Sequence, residues 1–127
     1  MARPLVLLVE DHADTRSMYA EYLGLDFDIA EAVDGLTALE SIAARPPDLI
    51  ITDLALPRMD GYTLITRLRG DARYQDIPVI ALSGYSGAEH EARVKVTRPD
   101  AVLQKPCLPE DLVTTITDLL RRKGHGE

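Results

Sequence analysis

The sequence predicts an α/β protein with a doubly wound parallel sheet of five strands, on the evidence of two features. The first is a set of short runs rich in Val, Ile and Leu, at residues 4–10, 27–33, 47–53, 77–84 and 100–106. Several of these runs lack polar alternation, which is typical of parallel strands that are covered on both faces. The second is the helical spacing of apolar residues between the runs, which favours right-handed strand–helix–strand crossovers.

Three of the intervening helices have clear start signals. Asp34 and Asp60 are each placed to cap a helix, because an aspartate at this position accepts a hydrogen bond from the first backbone N–H groups. Pro109 suits the first turn of the last helix, and the basic residues at 121–123 suit its negatively polarised end. Helices are therefore expected after the second, third and fifth strands.

The composition indicates a single domain, residues 1–127, with enough apolar residues for a buried core: 46% are hydrophobic and 28% charged. A net charge of -7 argues against nucleic acid as a ligand, because its phosphates require a basic surface.

The single cysteine, Cys107, excludes an internal disulfide and suits a reducing compartment. No apolar run approaches the roughly 20 residues of a membrane span. We therefore expect a cytoplasmic domain with no membrane contact and no effector domain.

Polar side chains stand at the ends of four of the predicted strands. Glu10 and Asp11 follow the first strand, Asp53 ends the third, Ser83 ends the fourth and Lys105 follows the fifth. In open α/β sheets, ligands bind outside the carboxyl ends of the strands. If the first and third strands are neighbours, three carboxylates meet there and repel one another unless a cation lies among them. Carboxylate oxygens suit Mg²⁺, so we expect a Mg²⁺ site, with Asp53 at a surface-exposed strand end.

A carboxylate, a divalent cation, a lysine and a hydroxyl are together the groups that phosphoryl transfer requires. The metal ion and the ammonium neutralise charge on the phosphoryl oxygens, and the hydroxyl donates a hydrogen bond to a further oxygen. One of the carboxylates can act as nucleophile and form an acyl phosphate. The residue types therefore indicate phosphoryl transfer to a carboxylate.

Four segments resemble the signatures of the response-regulator receiver domain of two-component signalling. They are "VEDH" (9–12), "DLALPRMDG" (53–61), "ALSGYS" (81–86) and "LQKP" (103–106), and they occur in the family's order. The resemblance spans nearly the whole chain. It implies a flavodoxin-like (βα)5 three-layer sandwich, similar to the chemotaxis regulators, with strand order 2-1-3-4-5.

The resemblance implies a metal site and a phosphoacceptor at named positions. Asp53 is implied to be the phosphoacceptor and also a ligand of Mg²⁺. Asp11 would bind the ion directly, Glu10 through a bound water, and Ala55 through its backbone carbonyl oxygen. Such a domain catalyses only its own aspartyl phosphorylation and slow autodephosphorylation, so we do not expect an enzyme in the usual sense.

The resemblance also implies how the phosphoryl group is sensed. Ser83 would donate a hydrogen bond to it and move towards it, and Lys105 would pair with it, with a cis peptide bond between Lys105 and Pro106. The expected donor is a phosphohistidine of a sensor histidine kinase or of a histidine phosphotransfer protein. The output would be contact with a downstream protein, with a phosphorylation-dependent dimer as one form. A receiver domain cut from a hybrid kinase, a phosphate sink and an interaction scaffold are the alternatives.

The sequence departs from the family at the switch. Receiver domains commonly carry Tyr or Phe three residues before the lysine, and here Val102 stands there. We expect the change at Ser83 to be expressed through the loop after it, with Tyr85 as a substitute ring; Tyr85 is equally suited to facing a partner or flanking the path of an attacking water. His12 is expected to be solvated, and His90 is expected at the surface.

Two other classes of protein fit the site less well. A phosphatase or phosphotransferase with an aspartyl nucleophile would need a second acid two residues after Asp53, where Ala55 stands. A flavin or nucleotide-binding module would need a Gly-rich or Ser/Thr-rich loop after the first strand, and the acidic "EDHADT" found there repels phosphate. The receiver interpretation remains the best supported by the residues.

Overall fold

A computed structural model describes residues 3–84 and 87–123 of the chain. Strands and helices alternate through these residues. The strands are β1 (Leu5–Val9), β2 (Asp28–Ala32), β3 (Leu49–Asp53), β4 (Val79–Ser83) and β5 (Ala101–Gln104). The helices are α1 (Ala13–Leu23), α2 (Gly35–Ala44), α3 (Gly61–Arg69), α4 (Ala88–Thr97) and α5 (Pro109–Arg122). Each predicted apolar run contains one strand, which confirms the predicted fold class.

The five strands form one parallel sheet in the order β2-β1-β3-β4-β5, as the resemblance implied. The three central strands β1, β3 and β4 are buried at every position. The edge strand β5 alternates between more and less exposed positions, and the edge strand β2 is buried only at Ala32. Because β1 and β3 are neighbours, the carboxyl ends of the strands that carry the acidic residues meet at the same edge of the sheet.

The core consists of two apolar layers, one on each face of the sheet. Leu7 and Ile50 pack in a cluster with side chains of α2 and α3, whereas Leu8 and Ile51 pack in a second cluster with side chains of α1 and α5. Successive residues of a strand point to opposite faces, so one strand contributes to both layers. Truncating one of these buried side chains to alanine costs about 2–5 kcal/mol. The two layers hold the strand ends in fixed positions.

The helix starts follow the predicted capping residues. Asp34 Oδ1 accepts from the Thr37 N–H at 2.8 Å, and the Asp34 N–H donates to Thr37 Oγ1 at 3.3 Å, which completes a capping box. Asp60 Oδ1 accepts from the Thr63 N–H at 2.8 Å. Pro109 is in the first turn of α5. These contacts confirm the three predicted helix starts.

No helix in the described ranges 3–84 and 87–123 has both the length and the apolar character needed to cross a membrane.

Candidate functional site

The ends of β1 and β3 bring the acidic residues of the two strands side by side. Val9 and Thr52 are paired in the β1–β3 register, so the residues that follow them, Glu10 and Asp53, lie at the same level at the end of the sheet. Both are buried, with Glu10 fully inaccessible and Asp53 3% exposed. The expectation that Asp53 lies at a surface-exposed strand end is wrong, because the Lys105 side chain and the loop after β3 lie against it.

Both oxygens of the Asp53 carboxylate accept hydrogen bonds. Oδ1 accepts from the backbone N–H of Ala55 at 3.1 Å, and Oδ2 accepts from Lys105 Nζ at 2.5 Å. Gly61, at the start of α3, donates its N–H to the Leu54 carbonyl at 3.0 Å, and a Cβ added at Gly61 would lie 2.7 Å from Leu54 Cα. A glycine is therefore required for α3 to approach the loop that follows Asp53.

Lys105 forms ion pairs with the acidic residues at the ends of β1 and β3. Its Nζ lies 2.5 Å from Asp53 Oδ2 and 3.4 Å from Glu10 Oε1. Burial by itself lowers the pKa of the Lys105 ammonium, but the hydrogen bonds and charges of Asp53 and Glu10 outweigh burial, so the pKa of Lys105 lies above its ordinary value. The Lys105 N–H donates to the Ser83 carbonyl at 2.8 Å, and the Lys105–Pro106 peptide bond is cis. The end of β5 is thereby fixed against the end of β4.

The segment after β1 offers a third carboxylate and an imidazole. Glu10 Oε2 accepts from the His12 N–H at 3.1 Å, and His12 Nδ1 lies 3.2 Å from the same oxygen. Asp11 Oδ1 is buried and has no hydrogen-bond partner among the described residues, although His12 Nδ1 lies 3.4 Å away. Ligand atoms of Glu10, Asp11 and His12 lie within 4.8 Å of one another. The His12 side chain is 71% exposed, as predicted.

A divalent cation fits this group of oxygens. A buried carboxylate oxygen without a donor is costly, and a cation beside Asp11 Oδ1 would remove that cost. The oxygens of Glu10, Asp11 and Asp53 are hard ligands of the kind that Mg²⁺ prefers. In the described part of the chain, Lys105 is the one lysine or arginine that contacts the carboxylates of Glu10 and Asp53, whereas Arg16 contacts only the backbone carbonyl of Glu10. A further positive charge is therefore electrostatically favourable beside these acidic residues.

Ser83 is buried at the end of β4 and pairs with a residue that sequence reasoning missed. Its Oγ lies 3.0 Å from His90 Nε2 in the first turn of α4, and His90 Nδ1 lies 2.6 Å from the Tyr62 hydroxyl on α3. The expectation that His90 is a surface residue is wrong, because it is half-buried and makes both contacts. The apolar pattern of α4 is weak, so the sequence gives no signal for which of its polar residues turns inward.

Val102 lies on the side of β5 that faces α4 and provides no large side chain there. It is paired with Ala81 in the β4–β5 register and is 43% exposed. With Val94, Lys95 and other residues of α4, it lines an open cavity of about 520 Å³. Tyr85, predicted as the substitute ring, lies outside the described residues, so its predicted role stays a prediction.

Comparison with known proteins identifies the family. Residues 6–117 match the family model for the response regulator receiver domain. Sensor histidine kinase TmoS of Ectopseudomonas mendocina is 35% identical over 127 residues, covering 98% of this chain and 13% of that protein. Transcriptional regulatory protein PrrA of Mycobacterium tuberculosis is 37% identical over 122 residues, covering 95% of this chain and 52% of that protein. This chain therefore spans about half, or less, of the length of these relatives.

The solved structures agree with the family assignment. The receiver domain of a signal transduction histidine kinase from Syntrophus aciditrophicus has a TM-score of 0.91 and 29% identity, with 98% of this chain and 95% of that chain covered. The chain belongs to the response regulator receiver domain family of two-component signalling. Receiver domains are phosphoacceptors rather than classical enzymes, and Mg²⁺ binding at an acidic pocket is a general feature of the family.

Proposed function

We propose that this receiver domain accepts a phosphoryl group on the Asp53 carboxylate from a phosphohistidine of a sensor histidine kinase or a histidine phosphotransfer protein. The observation that supports this most directly is the environment of Asp53. Its carboxylate is buried, with the Ala55 N–H on one oxygen and the Lys105 ammonium, which also contacts Glu10, on the other. A carboxylate held in one orientation by two donors is pre-positioned for in-line attack on phosphorus.

Mg²⁺ is the cofactor we propose, bound by Glu10, Asp11, Asp53 and the backbone carbonyl oxygen of Ala55. When bound, it supplies positive charge to the phosphoryl oxygens. The buried Asp11 Oδ1, without a hydrogen-bond donor in the described part of the chain, supports this assignment. Glu10 is held in place by the His12 N–H and Lys105. The protein therefore orients its ligands before the ion arrives.

The transfer forms one bond and breaks another. An Asp53 oxygen forms a bond to phosphorus while the phosphorus–nitrogen bond of the phosphohistidine breaks, and its electron pair stays on the imidazole of the partner. Lys105, which pairs with Asp53 Oδ2 before the transfer, then pairs with a phosphoryl oxygen. Ser83 donates its hydroxyl hydrogen to another phosphoryl oxygen. The protein supplies orientation and charge, and the reactive phosphoryl group comes from the donor.

Output is proposed to be a change in protein contacts in the cytoplasm, with a downstream protein or a second copy of the chain as the partner. The net charge of -7 gives no support for nucleic acid as a direct ligand. The match to TmoS and the likeness to a histidine kinase receiver domain favour one alternative, that this domain works as the receiver of a hybrid kinase. In both cases Asp53 is the acceptor.

Phosphorylation by a small phosphodonor tests the proposed function. Incubation with acetyl phosphate and Mg²⁺ is expected to give one acid-stable, hydroxylamine-sensitive phosphoryl group per chain, detected by intact mass. Asp53→Asn should abolish the label and keep the fold, because the two side chains have the same shape. Asp14→Asn, an exposed acid close to the site in sequence, is the matched control and should be labelled normally. Full labelling of the Asp53→Asn variant would disprove the assignment.

A further inference from the structure

A row of hydrogen-bonding side chains leads from the site to the surface between α3 and α4. We call it the Ser83–His90–Tyr62 row. Ser83 Oγ lies 3.0 Å from His90 Nε2, and the Tyr62 hydroxyl lies 2.6 Å from His90 Nδ1. The rings of Tyr62 and His90 meet edge to face, with centroids 6.0 Å apart and planes at 75°. The His90 imidazole therefore contacts Ser83 of β4 through one nitrogen and Tyr62 of α3 through the other.

The far end of the row reaches two charged residues at the surface. The guanidinium of Arg93 lies 3.8 Å from the centroid of the Tyr62 ring, a cation–π contact. Arg93 Nη2 also lies 3.8 Å from Asp60 Oδ2, and Asp60 is the capping residue of α3. The Tyr62 side chain is buried, whereas the Arg93 side chain is 53% exposed. A change at Ser83 thus has a continuous path of contacts to solvent.

The donors and acceptors of the row allow two directions of hydrogen bonding. A serine hydroxyl has one hydrogen to donate, and a neutral imidazole has one donor and one acceptor nitrogen. In the first direction, Ser83 donates to His90 Nε2 and His90 Nδ1–H donates to the Tyr62 oxygen. In the second, Tyr62 donates to Nδ1 and Nε2–H donates to Ser83 Oγ. Only in the second direction can Ser83 keep its contact with His90 and also donate its hydroxyl hydrogen to a phosphoryl oxygen.

We propose that His90 is a positioning residue for Ser83, and that phosphorylation of Asp53 fixes the row in the second direction. The anionic phosphoryl oxygen is the strongest acceptor available to Ser83, and hydrogen bonds in a row polarise one another. Tyr62 then changes from acceptor to donor directly beneath Arg93, which alters the surface between α3 and α4. The Ser83–His90–Tyr62 row thereby connects Ser83 to the surface, a connection that an aromatic side chain on β5 would otherwise make and that Val102 is too short to make.

The coupling rests on the proposed function, because Ser83 gains a new acceptor only when a phosphoryl group is attached to Asp53. It is tested on the full chain with Mg²⁺ and beryllofluoride, which mimics the phosphoryl group. Nitrogen-15 spectra of the His90 ring are expected to report the Nε2–H form with Nδ1 as acceptor once beryllofluoride is bound. Backbone amide signals of α3 and α4 are expected to shift in the same titration.

Tyr62→Phe is the decisive variant, since it removes one oxygen and keeps the buried ring. It is expected to weaken beryllofluoride binding about 2- to 10-fold, the range for one lost hydrogen bond, and to remove the amide shifts of α3. Tyr74→Phe is the matched control, because Tyr74 is 8% exposed in the same apolar cluster as Tyr62, which is 7% exposed. The control should behave as the wild type in both measurements.

His90→Leu is a second test, because it removes both imidazole nitrogens. This variant should also lose the amide shifts of α3 on beryllofluoride binding. Wild-type affinity and wild-type amide shifts in Tyr62→Phe would overturn the coupling while leaving phosphorylation at Asp53 intact. Absence of Asp53-dependent beryllofluoride binding in the wild-type chain would overturn the proposed function, and the coupling with it. The two failures are therefore distinguishable from one set of titrations.

Discussion

At the residue scale, Lys105 is the group that offsets the negative charge of the buried Asp53 and Glu10 carboxylates. Its ammonium contacts Asp53 and Glu10 directly, and its pKa above the ordinary value keeps it charged throughout the neutral range. Asp11 keeps one buried oxygen without a donor among the described residues. The Lys105 ammonium therefore reaches the carboxylates of Asp53 and Glu10, and the proposed Mg²⁺ would reach that of Asp11.

Lys105→Ala is predicted to raise the affinity for Mg²⁺ and to weaken the response to the phosphoryl group. Removing the ammonium makes the net charge of the site more negative, so the site binds a divalent cation more tightly. The phosphoryl oxygens lose their pairing cation, so amide shifts on beryllofluoride binding should shrink. Calorimetric titration with Mg²⁺ measures the first effect. Lys105→Arg keeps the charge and serves as the control; weaker Mg²⁺ binding by Lys105→Ala would contradict the prediction.

At the element scale, α4 is the helix least anchored to the sheet. Thr97 is the buried residue of the helix as described, and Val94 is partly buried against the core. The helix ends at Arg98 with a positive φ of 58°, a conformation that glycine usually occupies. Few buried apolar contacts mean that a segment opens or shifts at a low free-energy cost. We therefore expect a change at Ser83 to alter the position of α4 more easily than that of the other helices.

Beryllofluoride and Mg²⁺ are predicted to shift the amide signals of residues 83–90 strongly and those of residues 100–103 weakly. Val102 is β-branched and held to few rotamers, so β5 has no large side chain that can turn inward when Ser83 moves. Two-dimensional amide spectra with and without beryllofluoride measure the pattern, and Ser83→Ala is the control that should suppress it. Large shifts confined to residues 100–103 would show that the switch operates through β5.

The start of α2 has a pH dependence that can be measured. The hydrogen bond from Arg58 and that from the Thr37 N–H lower the pKa of Asp34 from 3.8 to about 2. A carboxylate with a lowered folded-state pKa stabilises the fold fully above its unfolded pKa, and that stabilisation is lost as the pH falls towards 2. We therefore predict that this contribution to stability declines between about pH 4 and pH 2.

Arg58→Ala tests the contribution of Asp34, because it removes the largest cause of the lowered pKa. The free energy of unfolding, measured with urea from pH 5 to pH 2, is expected to fall less steeply with acid in this variant than in the wild type. Arg67→Ala removes an exposed arginine from α3 and should leave the wild-type slope. If the free energy of unfolding falls with acid equally steeply in Arg58→Ala and in the wild type, Asp34 does not cause the loss of stability at low pH.

At the scale of the whole molecule, the site lies where two apolar layers and four strand ends meet, so binding there is linked to global stability. A ligand that binds only the folded chain stabilises it by about 1.4 kcal/mol at ten times its dissociation constant. Mg²⁺ at this concentration is predicted to raise the midpoint of thermal unfolding by roughly 5 °C for a domain of this size. EDTA should abolish the increase.

Asp11→Asn is predicted to remove most of the stabilisation by Mg²⁺ and to weaken the Mg²⁺-dependent phosphorylation of Asp53. The variant keeps the shape of the side chain but loses the charge beside the buried oxygen. Asp14→Asn controls for the loss of one negative charge near the site. Thermal unfolding with a Mg²⁺ series compares the three proteins; an unchanged midpoint shift in Asp11→Asn would place the ion elsewhere.

The sequence by itself determined the elements and which of them carry polar groups. Apolar runs of the right length predicted all five strands, and Asp34 and Asp60 marked helix starts through their capping chemistry. Strand ends are recognisable because an apolar run stops at a polar residue, so Asp53, Ser83 and Lys105 were located without knowing the fold. Such signals are local: each depends on residues within a few positions of one another.

Only the tertiary structure decided what surrounds those residues. Asp53 is buried because Lys105, far along the chain, lies against it. His90 contacts Ser83 because α4 packs against α3 and places the His90 imidazole between Ser83 and Tyr62. Contacts between distant segments depend on helix rotation and on the shape of neighbouring side chains, which a periodic pattern specifies poorly when few residues are apolar. The positions of the candidate site residues at the strand ends were therefore predictable from the sequence, whereas the contacts of Ser83 with His90 and of His90 with Tyr62 were not.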